Sequence, residues 1–127
     1  MKDQIWNFHK EIAREDCAPG SWRKILAYGD DLMCVENHFS VGAVGALHSH
    51  PHTQITYVVS GKFEFEIGGV KKVVTAGDSM FKKDAVVHGC VCLVEGILLD
   101  IFTPMRDDFV KYGRPHSFPF RFHPMGV

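Results

Sequence analysis

Residues 48–67 read "HSHPHTQITYVVSGKFEFEI". The second half carries a clear period. Phe63, Phe65 and Ile67 alternate with Lys62, Glu64 and Glu66. Side chains two apart on a strand share a face, so this stretch is a strand with one buried face and one wet face. The first half sets His48, His50, His52, Gln54 and Thr56 on one parity. They line one face if the strand is regular throughout, but Pro51 interrupts the ladder and makes the early part an edge or a loop entry.

Outward from this segment the pattern stays β. "SWRKILAY" (21–28) is followed by the turn signal "GDD" and then by "LMCVENHFS". "VGAVGAL" (41–47) reads as a Gly-punctuated connection. "GGV" makes a hairpin turn into "KKVVT", and "AGD" turns again. "SMFKK" and "VVHGCVCLV" are short strands, "EG" (95–96) is a further turn, and "ILLDIFTP" is a last strand ended by Pro104. Turn signals recurring roughly every 8–12 residues predict a single all-β domain, a sandwich or barrel of short antiparallel strands. We assign residues 1–20 to an N-terminal arm, 21–112 to the β domain and 113–127 to a C-terminal tail. In the arm, Ile5, Phe8 and Ile12 have helical spacing before Pro19 and Gly20 close the segment. "RDDFVKY" reads as one helical turn. In the tail, "GRPHSFPFRFHPMGV", the alternating Phe118, Phe120 and Phe122 are expected to pack on the chain or on a partner subunit.

The composition excludes several classes. With 127 residues, 46% hydrophobic, 23% charged and a formal net charge of −1, the chain is ordinary globular material. It has no basic block of the kind that binds nucleic acid. Its apolar runs are too short to span a bilayer. The polar start, "MKDQIWNFHKEIARED", lacks the apolar region of a secretory signal, so a cytoplasmic protein is expected. Cys17, Cys34, Cys90 and Cys92 show no CxxC spacing and read as reduced thiols, with Cys90 and Cys92 filling core.

Two constellations carry chemistry. Histidines at i and i+2, with a polar side chain four residues on, can bring nitrogens to about 2.0–2.1 Å from one ion. His88 follows on a separate strand. The second constellation is Asp100, alone in "ILLDIF", with Arg106 beyond Pro104. A lone acid in an apolar strand is unfavourable unless paired or facing a polar cavity. Leu98, Asp100 and Phe102 share one face, so Asp100 either faces the histidines or pairs with Arg106 at the strand's end. His52 is either a neighbour of the site mouth or, as the adjacent Pro51 favours, an exposed turn corner.

The spacing Gly42, five residues, His48-x-His50, three residues, Gln54, six residues, Gly61 resembles the first motif of the cupin family, where the Gln54 position is usually Glu. Of the second motif, Gly77 and His88 match, while Lys83, Ala85 and Cys92 stand where Pro, Gly and Asn are usual. The resemblance covers roughly residues 22–104 and implies a jelly-roll type β-barrel. It also implies a metal set of His48, His50, Gln54 and His88. Such neutral ligands suit a divalent transition ion, with Zn, Ni, Fe, Mn and Co all open.

"LAYGDDLM", "HSHPHTQITYVVSGKFEFEIGG" and "GILLDIFTPMRDDF" together resemble the small pectin-degradation cupins, which linearise 4,5-unsaturated monouronates. That resemblance implies Asp100, Phe102 and Arg106 as the active-site trio, an anionic sugar acid as substrate, and a homodimer. Two alternatives stay open: a metal-dependent cupin dioxygenase, and a sugar- or small-molecule-binding cupin without activity.

Overall fold

The computed structural model describes residues 1–111. In chain order it forms a three-residue 3-10 turn (His9–Glu11), β1 (Glu15–Asp16), β2 (Ser21–Tyr28), β3 (Met33–Phe39), β4 (Val44–His48), β5 (Thr53–Ile67), β6 (Val70–Thr75), β7 (Ser79–Lys82), β8 (His88–Thr103) and a short helix α1 (Asp107–Lys111). The all-β expectation holds, as does the single helical turn after Pro104. The helical spacing in the arm yields only the 3-10 turn. The C-terminal tail, with Phe118, Phe120 and Phe122, lies outside the described residues.

Two long strands organise the molecule. β5 and β8 pair with each other along their whole length, from Thr53↔Thr103 to Ile67↔His88. The N-terminal half of β5 also pairs with β7, and the C-terminal half of β8 with β3. The other half of β5 pairs with β6, and the other half of β8 with β4. One sheet thus folds into two layers, β1-β2-β3-β8-β5-β7 and β4-β8-β5-β6. The ends of the main path, β1 and β6, do not pair with each other. The jelly-roll wall is therefore a folded sheet that hydrogen bonds leave open.

The fold line passes through the residues expected to turn at "EG". Instead, β8 runs straight through Glu95 and Gly96. A Cβ on Gly96 would lie 2.1 Å from the Ser60 carbonyl oxygen, and one on Gly61 would lie 2.6 Å from the Gly96 Cα. Gly61 also has φ +87°, a left-handed backbone that favours glycine. The ladder shifts register between Val58 and Phe63, where the two backbones touch. What looked like a turn is a bend shared by two continuous strands. "VGAVGAL" likewise differs from expectation: Val44–His48 is a strand, paired to β8 at Val44↔Val91 and Gly45↔Cys90. Across from it on β8, a Cβ on Gly89 would lie 2.6 Å from the Gly45 carbonyl oxygen, so the two backbones approach closely there.

The interior divides in two. Between the layers, Phe39, Val58, Phe63, Phe65, Cys90, Cys92 and Leu98 form the main apolar cluster, so the two cysteines fill core as expected. All four cysteines are free thiols. At the opposite end, Met33, Val35, Phe102 and Phe109 form a second cluster. On the inner face of the first layer, polar residues gather: Asn37, Gln54, Thr56, Lys82 and Asp100 are all 3% exposed or less. No helix among the described residues is long and apolar enough to cross a membrane.

Candidate metal centre

His48 ends β4, His88 begins β8, and the two are partners across the ladder. Their rings lie 4.6 Å apart between centroids. His50 stands in the turn between β4 and β5. That turn is tied down by two hydrogen bonds to the His50 carbonyl, from the backbone N–H of His52 at 2.8 Å and of Ala85 at 2.9 Å. His50 then packs edge-on to His88 at 5.0 Å and on Phe102 at 5.7 Å. Donor nitrogens of His48, His50 and His88 all lie within 4.8 Å of one another. Three nitrogens on one tetrahedral ion, at about 2.1 Å each, stand about 3.4 Å apart. Side-chain shifts of about 1 Å would close the set.

Hydrogen bonds fix how these rings face. His48 Nδ1 meets the Ala46 carbonyl at 2.8 Å and His88 Nδ1 meets the Val86 carbonyl at 3.0 Å. A carbonyl only accepts, so each Nδ1 carries the proton and each Nε2 presents a lone pair. His48 Nε2 and both ring nitrogens of His50 are buried with no hydrogen-bond partner. Burial, the Arg106 charge and the neighbouring imidazoles push the His50 pKa down to about 3, and burial lowers that of His48 as well. Imidazoles such as His48 and His50, with lowered pKa and buried nitrogens that lack a partner, are donors that a divalent transition ion takes.

Gln54 is the fourth candidate ligand. It is buried on β5, and its Nε2 donates to Asp100 Oδ1 at 2.7 Å and to Thr56 Oγ1 at 3.2 Å. Its Oε1 is left without a partner. The amide is therefore held with its oxygen, the end that binds hard cations, free.

Asp100 faces inward, as one of the two readings had it. It does not pair with Arg106. Its Oδ2 accepts from Asn37 at 2.6 Å, and its Oδ1 from Gln54 and from the Thr56 hydroxyl. Burial raises its pKa, against the charge of Lys82 and these three hydrogen bonds. Arg106 instead donates to Asp108 through Nε at 3.0 Å and Nη2 at 2.8 Å. Its guanidinium sits 4.2 Å from the Phe109 ring centroid and 5.2 Å from that of Phe102. Nη1 is buried with no partner. After burial, Arg106 is the largest influence lowering the pKa of both His50 and His52, which places its charge beside the histidines.

Phe102 is fully buried, between His50, Phe109 and Arg106. His52 is not an exposed corner. It is half-buried against His50 at 5.3 Å and Phe102 at 6.3 Å, at the edge of the site. Strand parity sets Thr56 on the face of Gln54, and it is the ladder partner of Asp100. Two residues of this group went unread in the sequence: Asn37 and Lys82. Strand parity could have found Asn37, which shares the parity of Val35, the ladder partner of Asp100.

A cupin domain matches residues 36–102, more than half of the chain. This chain is a cupin. The "pectin degradation protein KdgF" of Dickeya dadantii (strain 3937) is 44% identical to it over 102 residues, which cover 79% of this cupin and 93% of that protein. Two relatives of solved structure agree. An RmlC-like cupin from Shewanella frigidimarina NCIMB 400 superposes with a TM-score of 0.82 at 42% identity, over 85% of this cupin and 97% of that chain. The KdgF of a Halomonas species superposes with a TM-score of 0.80 at 40% identity, over 84% of this cupin and 98% of that chain. The residues matched as a cupin domain hold all four candidate ligands and Asp100.

Proposed function

We propose that this cupin acts in pectin degradation as a metal-dependent enzyme that opens the ring of 4,5-unsaturated monouronates. One observation carries the reading furthest: the buried acid and the candidate ligand set are a single network, joined by the hydrogen bond from Gln54 to Asp100. The likeness to two proteins named KdgF supports it. His48, His50, His88 and Gln54 would hold the ion, which supplies Lewis acidity toward substrate oxygens.

The reaction is an isomerisation and needs no co-reactant. The anomeric hydroxyl loses its proton, the bond from C1 to the ring oxygen breaks, and C1 becomes an aldehyde. The electron pair passes to the ring oxygen as an enolate on C5. A proton added at C4 then gives the C5 ketone. One group that takes a proton and returns it serves both steps, and Asp100 is that group. Its raised pKa suits it to holding the proton between steps. Arg106 is held rigid by Asp108 and keeps Nη1 for the substrate carboxylate. Phe102 backs both Arg106 and His50, so its part is to hold them in place. The binding partner is thus an anionic sugar acid.

The test is loss of the C4=C5 ultraviolet absorbance when metal-loaded protein meets freshly made unsaturated galacturonate. Acceleration that chelator and Asp100→Asn each abolish is the expected result. Turnover at the spontaneous rate in a metal-loaded sample would refute the reading. Oxygen uptake on a phenolic substrate would point to dioxygenase chemistry instead.

A further inference from the structure

β7 is inverted with respect to ordinary burial. Phe81 is 62% exposed, while its neighbour Lys82 is 0% exposed. Lys82 stands on the inner face as the ladder partner of Gln54, which is in turn the partner of Phe102. Its ammonium reaches across to the second layer, 4.7 Å over the ring of Phe65. Nζ has no hydrogen-bond partner. A methionine would fill the same stem volume without bringing a charge into the core, so the ammonium is present for its charge.

The interior holds a matching charge. Of the acids among the described residues, Asp100 is the one that is fully buried. Its three hydrogen-bond donors, Asn37, Gln54 and Thr56, are all neutral. Arg106 is already engaged by Asp108. Asp100 and Lys82 stand on the two strands that flank β5, Asp100 beside Thr56 and Lys82 beside Gln54, and the ammonium makes no direct hydrogen bond to the carboxylate.

We propose that Lys82 is a positioning residue acting through Asp100: its ammonium is the countercharge that holds the Asp100 carboxylate in place beside Gln54. The electrostatics agree. Lys82 is the largest influence opposing burial at Asp100, and Asp100 is the largest opposing burial at Lys82. The catalytic consequence rests on the ring-opening reading above; the charge pairing does not.

The two are tested separately. Melting temperatures of the full chain, metal-loaded and chelator-treated, are measured for Lys82→Met, Asp100→Asn and the double variant. Each single variant is expected to melt about 10 °C or more below the wild type, and the double variant higher than either, because removing both charges leaves neither stranded. Losses that add, or a Lys82→Met protein that melts above the wild type, would overturn the pairing. Should neither single variant accumulate folded, a folded double variant supports the pairing and an unfolded one overturns it. On unsaturated galacturonate, Lys82→Met is expected to lower kcat at least about 10-fold with KM little changed and metal content intact. Unchanged kcat would refute the positioning role, whereas an inactive wild type would refute the ring-opening reading and leave the melting cycle to decide the pair.

Discussion

The carboxamide of Gln54 donates to the carboxylate of Asp100 across 2.7 Å, and the amide oxygen stays buried with no hydrogen-bond partner. Most cupins are expected to carry glutamate here, as the sequence comparison with the first motif indicates. Beside Asp100 a glutamate would replace a donor with a second acceptor. Glutamine at 54 and aspartate at 100 thus belong together.

Gln54→Glu therefore exchanges a charge-assisted hydrogen bond for like-charge contact. Bonds of this kind are worth about 1.5–3 kcal/mol. Chelator-treated Gln54→Glu protein is expected to melt roughly 5 °C or more below chelator-treated wild type. Equal melting temperatures in a thermal scan would show that the amide contributes no such bond.

His50 carries two buried ring nitrogens without partners, so no protein contact competes with an ion for it. His50→Ala leaves two imidazoles and the amide. Calorimetric titration with Zn or Ni is expected to show affinity reduced more than about 100-fold, beyond the effect usual for residues that merely orient ligands. Wild-type affinity in the variant would remove His50 from the set.

Phe102 lies wholly inside, against His50, Phe109 and Arg106. Truncation to alanine should cost about 3–5 kcal/mol of stability, and leucine distinctly less. Denaturant unfolding measures both. A Phe102→Ala protein of wild-type stability would contradict a packing role and return Phe102 to direct substrate contact.

The Arg106–Asp108 pair carries a pH dependence. Burial acts to raise the Asp108 pKa, but hydrogen bonds and charge from Arg106 prevail and hold it below its usual 3.8. A lowered folded-state pKa contributes stability that is present above the unfolded value and is lost as pH falls through the folded one. Acid unfolding curves of wild type and Asp108→Asn are expected to differ at about pH 5 and to converge as pH falls past the usual 3.8 and through the lowered folded-state value. Asp108 is more than a third exposed on its side chain, so the gap is modest. If Arg106 clamps the substrate carboxylate, Asp108→Asn also raises KM more than it lowers kcat.

Gly96 faces the Ser60 carbonyl oxygen so closely that an added methyl would lie 2.1 Å from it. Because the obstacle is backbone, no side chain can swing aside. Gly96→Ala is expected to fold poorly or to lose several kcal/mol, about 3 or more, in denaturant unfolding. A near-native Gly96→Ala would mean that the two strands pass at a greater distance.

Legibility followed period and spacing. Alternation at Phe63, Phe65 and Ile67 announced a two-faced strand, and the spacing of His48, His50, Gln54 and His88 announced the residues that the fold brings together. Asp100 was legible as an anomaly in "ILLDIF", but its partners were not. They come from strands 44 to 63 positions away in the chain, and only the ladder register shows them. Lys82 was hidden for another reason. In "SMFKK" hydropathy places Phe81 inside and the lysines outside, whereas the strand puts Phe81 outside and Lys82 inside, and leaves only Lys83 exposed as expected. "EG" and "VGAVGAL" misled because glycine signals close backbone approach as readily as it signals a turn.

The contact between Gly61 and Gly96 has a bearing on how such a molecule diversifies. The angle between the two layers is set there by main chain against main chain, with no side chain to resize. Substitutions along the inner wall, at positions such as Met80 or Met105, can then retune which ligand the chamber accepts while its aperture stays constant. The hinge of the architecture and the selectivity of its mouth are separate variables, and each is open to change without the other.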